Sequence, residues 1–188
     1  MNLPNKLTLL RVILVPFFLL FLLVDAIPLH GVWALAVFAA ASITDALDGH
    51  IARSRNMITD FGKFLDPVAD KVLVFAALIA FTELGLASSV AVVIMMAREF
   101  LVSSLRMVAA SNGKVIAAGK SGKVKTAVTM VSIVAILLLM ALMDAGVLAA
   151  TFPLVTVSGV LIWICAAITL YSGVEYLVQN KEQFTGSM

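Results

Sequence analysis

The sequence predicts an all-α integral membrane protein: six transmembrane helices, a short N-terminal interfacial segment, and both termini in the cytoplasm. Three observations predict this. Hydrophobic residues make up 62% of the 188 residues and charged residues only 13%, against about 45–50% and about 25% in soluble domains. A soluble globule of this size could not hide so much apolar surface, so the bilayer is its expected solvent. Six apolar runs approach the roughly 20 residues needed to cross about 30 Å of hydrocarbon. Finally, connections that carry Lys and Arg alternate with connections that carry none.

The runs fall at about Leu7–Val24, Gly31–Asp48, Pro67–Leu84, Ser88–Ser111, Val124–Met143 and Phe152–Val178. The start, Met1–Arg11, has mixed polarity and contains Pro4; it suits a segment lying along the interface before the first helix turns inward. Turn-rich breaks at Asp25–His30, Gly49–Asp66, Gly85–Ala87, Asn112–Lys123 and Asp144–Thr151 separate the runs. No repeat, low-complexity stretch or domain boundary interrupts the chain, so residues 1–188 read as one domain. The first run lacks a small-x-small exit and leads to Asp25 and Pro28, which argues against a cleavable signal.

Orientation follows from the basic residues. Lys6 and Arg11 open the first span; Arg53, Arg55 and Lys63 fill the second connection; Lys114, Lys120, Lys123 and Lys125 surround the fourth; Lys181 follows the last span. The first, third and fifth connections contain no Lys or Arg. The expected location is therefore the cytoplasmic membrane, crossed many times, with anionic lipid headgroups along the basic belt. The net charge of +2 gives no reason to expect a nucleic-acid partner. Lone Cys165 has no second cysteine to pair with, and His30 and His50 form no ligand pair. Disulfide and cysteine-metal chemistry are excluded.

The acids carry the chemistry. Asp45, Asp48, Asp66 and Asp70 are packed into 26 residues at the cytoplasmic ends of two expected helices. Spacings of three and four put each pair on one face of its own helix. Four mutually repelling carboxylates near a membrane need a strong positive partner. Arg53 and Lys71 are too few, whereas one or two divalent cations suffice, and an all-oxygen set favours Mg²⁺ or Mn²⁺ over zinc. Gly49 and Gly62 flank the acids and let a ligand or backbone approach closely. Arg53, one turn beyond Gly49, presents a fork suited to phosphate. Together these groups describe a pyrophosphate site.

The pattern Asp45-x2-Asp48-Gly49-x2-Ala52-Arg53-x8-Gly62-x3-Asp66-x3-Asp70 resembles the complete signature of the CDP-alcohol phosphotransferases. The resemblance implies six transmembrane helices, a homodimer and a site open to the cytoplasm. It implies metal binding by Asp45, Asp48 and Asp66, with Asp70 as general base and a further metal contact. It also implies CDP-lipid contacts from Asp48, Gly49, Arg53, Thr59 and Gly62. The start Asn5-x2-Thr8-x2-Arg11 and the stretch from Arg98-Glu99 through Arg106 to Gly122-Lys123-x-Lys125-Thr126 are similar to the glycerol 3-phosphate-using branch of that family. In that branch Asn5 and Thr8 would meet the nucleotide.

The acceptor side also reads physically. Arg98 and Arg106 lie eight residues apart in one apolar run, which leaves them roughly 80° apart around a helix. Arg98 falls near mid-span, too deep to reach the interface, so it should point into a polar cavity. With Lys123 and Lys125 it would suit the phosphate of a small dianionic acceptor. The expected reaction transfers the phosphatidyl group of CDP-diacylglycerol to glycerol 3-phosphate, giving phosphatidylglycerol phosphate and CMP. A sister transferase using inositol phosphate or phosphatidylglycerol is the alternative enzyme. A divalent-cation transporter is the alternative of another class, but it would need acids at mid-membrane.

Overall fold

In lipid an apolar segment folds as a helix, because a helix satisfies its backbone N–H and C=O groups within one segment. The structure, a computed structural model, describes residues 3–54, 60–111 and 119–181, apart from the side chains of residues 3–7, 45–54, 60–67 and 70. Its described residues form six α-helices and no strand: α1 (Leu3–Leu23), α2 (His30–Ser54), α3 (Asp60–Glu83), α4 (Ser89–Ser111), α5 (Lys120–Asp144) and α6 (Leu154–Gln179). Among the described residues, α5 and α6 are each long and apolar enough to cross a membrane, and Thr8–Leu23 and His30–Thr44 are shorter apolar stretches.

Two boundaries differ from the sequence reading. Residues 3–11, expected to lie along the interface ahead of the first helix, are continuous with α1. The break expected at Gly49–Asp66 is largely helical, since α2 runs to Ser54 and α3 begins at Asp60. The apolar run marks where a helix meets hydrocarbon, whereas the helix itself can extend past that point. Glycine inside such a helix is tolerated.

The helices sort into two compact units, Met1–Leu84 with Ile133–Leu154, and Gly85–Ser132 with Val155–Met188. In the first unit, α1 packs against both α2 and α3. Buried residues recur every three or four positions, as in Val15, Phe18 and Leu22 of α1, Ala34, Phe38 and Ala41 of α2, and Leu73, Ala77 and Phe81 of α3. Phe18 and Phe38 meet with ring centroids 5.5 Å apart, tilted by 54°. Lipid tails are as apolar as these side chains, so close packing, and not exclusion from water, stabilises such contacts. Ser42, Thr44 and Thr82 donate their hydroxyls to carbonyls one turn back, which satisfies them inside their own helices.

The ends of α2 and α5 are joined in this unit. The Gly31 amide donates to Asp144 Oδ2 at 2.6 Å, so a carboxylate from the end of α5 caps the start of α2, where the helix dipole favours negative charge. His30 Nε2 stands 3.5 Å from the same oxygen. Gly146, at φ 70°, ends α5 in the left-handed region. The Val147 amide returns to the Leu142 carbonyl and the Gly146 amide to that of Met143, a Schellman closure that satisfies the last carbonyls.

In the second unit, α6 buries Ser158, Ile162, Cys165, Ala166, Thr169, Ser172, Gly173 and Tyr176. This stripe of mostly small residues permits close helix approach. Cys165 Sγ lies 3.2 Å from Ser132 Oγ. The outer positions of α6, such as Trp163, Ile164, Leu170 and Val174, are exposed and apolar. An exposed apolar surface on both α5 and α6 is unusual for a soluble protein and natural for one that faces lipid.

Candidate active site

The second unit contains a small recess lined by Arg98 and Arg106 from α4, Gly119, Ser121 and Gly122 around the start of α5, and Ser172, Tyr176 and Gln179 from α6. The recess is small, and its lining brings two guanidiniums together with the hydroxyls of Ser121, Ser172 and Tyr176. Only 9% of the Arg98 side chain is exposed. Its Nη2 donates to Ser172 Oγ at 2.8 Å, and Nη1 lies 3.5 Å from Glu99 Oε2. The Ser172 hydroxyl in turn reaches Ser121 Oγ at 3.3 Å. Arg106 places its guanidinium over the Tyr176 ring, 5.4 Å from the centroid.

Among the described residues, three buried polar atoms at this recess have no hydrogen-bond partner: Arg98 Nε, Arg106 Nε and the Tyr176 hydroxyl. Buried polar groups are nearly always paired, so donors left open around one recess are suited to an anionic ligand. Two guanidiniums supply planar forks that match phosphate oxygens.

Of the four residues expected to hold acceptor phosphate, the recess brings together Arg98 and Arg106. Lys125 bonds Glu99 Oε2, the carboxylate that also faces Arg98. Lys123 is exposed and does not line the recess. The reason is helical phase: Ser121 and Lys125, four apart, share a face of α5, whereas Lys123 lies about 200° round from each. Sequence reasoning missed Ser121, Ser172, Tyr176 and Gln179. The signal was present in α6, where Thr169, Ser172, Tyr176 and Gln179 recur every three or four residues through an otherwise apolar helix.

The first unit carries the acidic motif. Positions 45 and 48 lie in α2 and positions 66 and 70 in α3, so the spacings of three and four are helical spacings. The side chains of Asp45, Asp48, Asp66 and Asp70 lie outside the described residues, as do those of Asn5, Arg53 and the positions Gly49 and Gly62; Thr59 is wholly outside. Among the described residues no group of three or more His, Cys, Asp or Glu could hold a metal ion. The four carboxylates that the sequence offers as ligands are all-oxygen donors, whose chemistry suits a hard, oxygen-seeking cation. Thr8 and Arg11, one turn apart on α1, are fully buried at 0% and 1% exposure.

Residues 1–171 match the sequence profile of the CDP-alcohol phosphatidyltransferases. The chain belongs to this family. It is 38% identical over 192 residues to the CDP-diacylglycerol–glycerol-3-phosphate 3-phosphatidyltransferase of Bacillus subtilis, covering 96% of both chains. It is 40% identical over 189 residues to the enzyme of the same name from Yersinia pestis, covering 94% of this chain and 93% of that one. A probable phosphatidylglycerophosphate synthase of Mycobacterium tuberculosis is 38% identical over 188 residues, covering 98% of this chain and 84% of the relative. The chain is thus a phosphatidyltransferase of the CDP-alcohol family, a membrane family for which divalent-metal dependence is expected.

Proposed function

We propose that this phosphatidyltransferase moves the phosphatidyl group of CDP-diacylglycerol to glycerol 3-phosphate, releasing CMP and forming phosphatidylglycerol phosphate. Near-full-length relatives bearing that activity in their names support the reaction. The observation that carries the acceptor is the recess where Arg98 and Arg106 meet with unpartnered buried Nε atoms. An uncharged alcohol such as inositol would leave those donors unanswered.

The residues divide the work. Asp45, Asp48, Asp66 and Asp70 hold one or two divalent cations, Mg²⁺ or Mn²⁺, which when bound neutralise pyrophosphate charge and make CMP a better leaving group. Asn5, Thr8, Gly49, Arg53, Thr59 and Gly62 hold the CDP end, with Arg53 balancing residual phosphate charge. Arg98 and Arg106, with Lys125 beside them through Glu99, hold the acceptor phosphate, and Lys123, exposed on another face of α5, lies outside this site. Asp70 takes the proton from the acceptor hydroxyl. That oxygen forms a bond to the phosphorus carrying diacylglycerol as the bond from the same phosphorus to CMP breaks.

The acyl chains remain in the bilayer while the headgroup reacts. Six transmembrane helices with both termini cytoplasmic set the site at the cytoplasmic face of the cell membrane, and the enzyme works as a homodimer among anionic lipids. The alternating distribution of Lys and Arg supports that orientation.

The test is CMP release by purified protein in mixed micelles containing CDP-diacylglycerol and Mg²⁺. Glycerol 3-phosphate, inositol phosphate, inositol, serine and phosphatidylglycerol are offered one at a time. Release with glycerol 3-phosphate alone is expected. Release with inositol alone would overturn the reading of Arg98 and Arg106, release with inositol phosphate alone would overturn the choice of glycerol 3-phosphate, and either would leave the aspartate argument standing.

A further inference from the structure

We infer that Gly173 and Ser172 of α6 are positioning residues for the acceptor arginine, forming a slot that fixes the Arg98 guanidinium. The inference rests on the acceptor reading above and adds residues to it.

An arginine side chain is long and rotamer-rich, so holding its fork toward one small anion requires the protein to remove that freedom. The stem of Arg98 passes over α6 where Gly173 has no side chain. A Cβ at Gly173 would lie 2.9 Å from Arg98 Cγ, 3.9 Å from its Cβ and 4.0 Å from its Nε. The closest of these is shorter than real Cβ contacts. The atom met is the second carbon of the stem and not its flexible end, so relief requires the whole side chain to swing.

The neighbouring residue completes the slot. Ser172, 1% exposed, accepts from Arg98 Nη2 at 2.8 Å and is 3.3 Å from Ser121 Oγ, an acceptor for its hydroxyl proton. Glu99 stands 3.5 Å from Nη1, and a Cβ on Gly122 would pass Nη2 at 3.7 Å, in ordinary contact. Stem, Nη1 and Nη2 are thus each defined by the protein, while Nε has no partner among the described residues. A guanidinium held in this way keeps its remaining N–H donors in one orientation toward the acceptor.

The test compares Gly173→Ala, Ser172→Ala, Arg98→Ala and Gly159→Ala in full-length protein in micelles, titrating each substrate separately. Gly159 lies on the same helix with nothing within 4 Å of an added Cβ, so it controls for glycine replacement itself. Gly173→Ala should raise the KM for glycerol 3-phosphate about tenfold or more, the scale of one lost charge-assisted hydrogen bond. Ser172→Ala should raise it about three- to tenfold, as for one weaker bond. In both, kcat and the KM for CDP-diacylglycerol should stay within about twofold, the signature of lost acceptor binding alone. Gly159→Ala should change none of these.

If Arg98→Ala raises the acceptor KM while Gly173→Ala and Ser172→Ala do not, the slot is refuted and the acceptor reading stands. If Arg98→Ala also leaves it unchanged, the acceptor reading itself fails. A fall in kcat with both KM values disturbed alike would mark a structural role and overturn the inference. Should Gly173→Ala fail to fold, Ser172→Ala decides by the same criteria.

Discussion

Replacing Arg106 with alanine separates two roles that the structure assigns to one side chain. Its guanidinium stacks over Tyr176 at 5.4 Å, and its Nε is buried without a partner. The stacking acts on folding and contributes about 0.5–2 kcal/mol, equivalent to roughly 2–4 °C in Tm per kcal/mol for a chain of this size. The open donor acts on ligand. A hydrogen bond to a charged group contributes about 1.5–3 kcal/mol, and each 1.4 kcal/mol is about tenfold in affinity. Arg106→Ala should therefore weaken glycerol 3-phosphate use by about 10–150-fold. Arg106→Lys, which keeps charge but loses the planar fork, should fall between. The assay is CMP release at saturating CDP-diacylglycerol with glycerol 3-phosphate varied, alongside thermal unfolding in the same micelles. A lowered Tm with unchanged acceptor affinity would refute the reasoning and leave Arg106 a packing residue.

Asp70→Asn should retain metal and much CDP-lipid binding while losing turnover; normal CMP release from this variant would remove Asp70 from the base role. Gly31→Ala would bring a Cβ within 2.7 Å of Asp144 Oδ2 and 3.2 Å of the Ala141 nitrogen. Crowding of about 1–3 kcal/mol and a lost cap of about 0.5–2 kcal/mol outweigh a helix-propensity gain of about 1 kcal/mol, so Tm should fall. Gly159→Ala, with open space around it, should be neutral or stabilising by up to about 1 kcal/mol; equal Tm changes for the two glycines would contradict the geometry. Lys123→Ala should alter the acceptor KM less than about twofold, as expected for an exposed charge. Lys125→Ala, which strips one partner from Glu99 beside Arg98, should raise it several-fold; the reverse order in titrations would move the acceptor site toward Lys123.

Hydropathy locates the six helices of the described residues, of which α5 and α6 are long and apolar enough to cross a membrane. It reads their ends poorly. The polar stretch after Asp48 looked like a loop, yet α2 continues to Ser54, since a helix needs lipid to be apolar and not to be helical. Arg98 and Arg106 were legible as a pair because charged residues deep in an apolar run have few explanations. Their partners were less so. Ser172 and Gly173 are small residues whose ordinary role in a membrane helix is packing, and only the Arg98 guanidinium on Ser172 and the Arg98 stem over Gly173 distinguish them. The lysines show a different limit: residues 123 and 125 are equivalent by charge and proximity, and helical phase at the start of α5 separates them.

The central claim is that the acceptor's own oxygen becomes the new bridge to phosphorus. Glycerol 3-phosphate labelled with ¹⁸O at its terminal hydroxyl, incubated with CDP-diacylglycerol, Mg²⁺ and the purified protein, tests this by mass spectrometry of lipid and nucleotide. The account predicts phosphatidylglycerol phosphate carrying the label and unlabelled CMP, both absent with Asp70→Asn. Unlabelled lipid product, label in CMP, or no lipid product from protein that is folded and binds Mg²⁺ would contradict it.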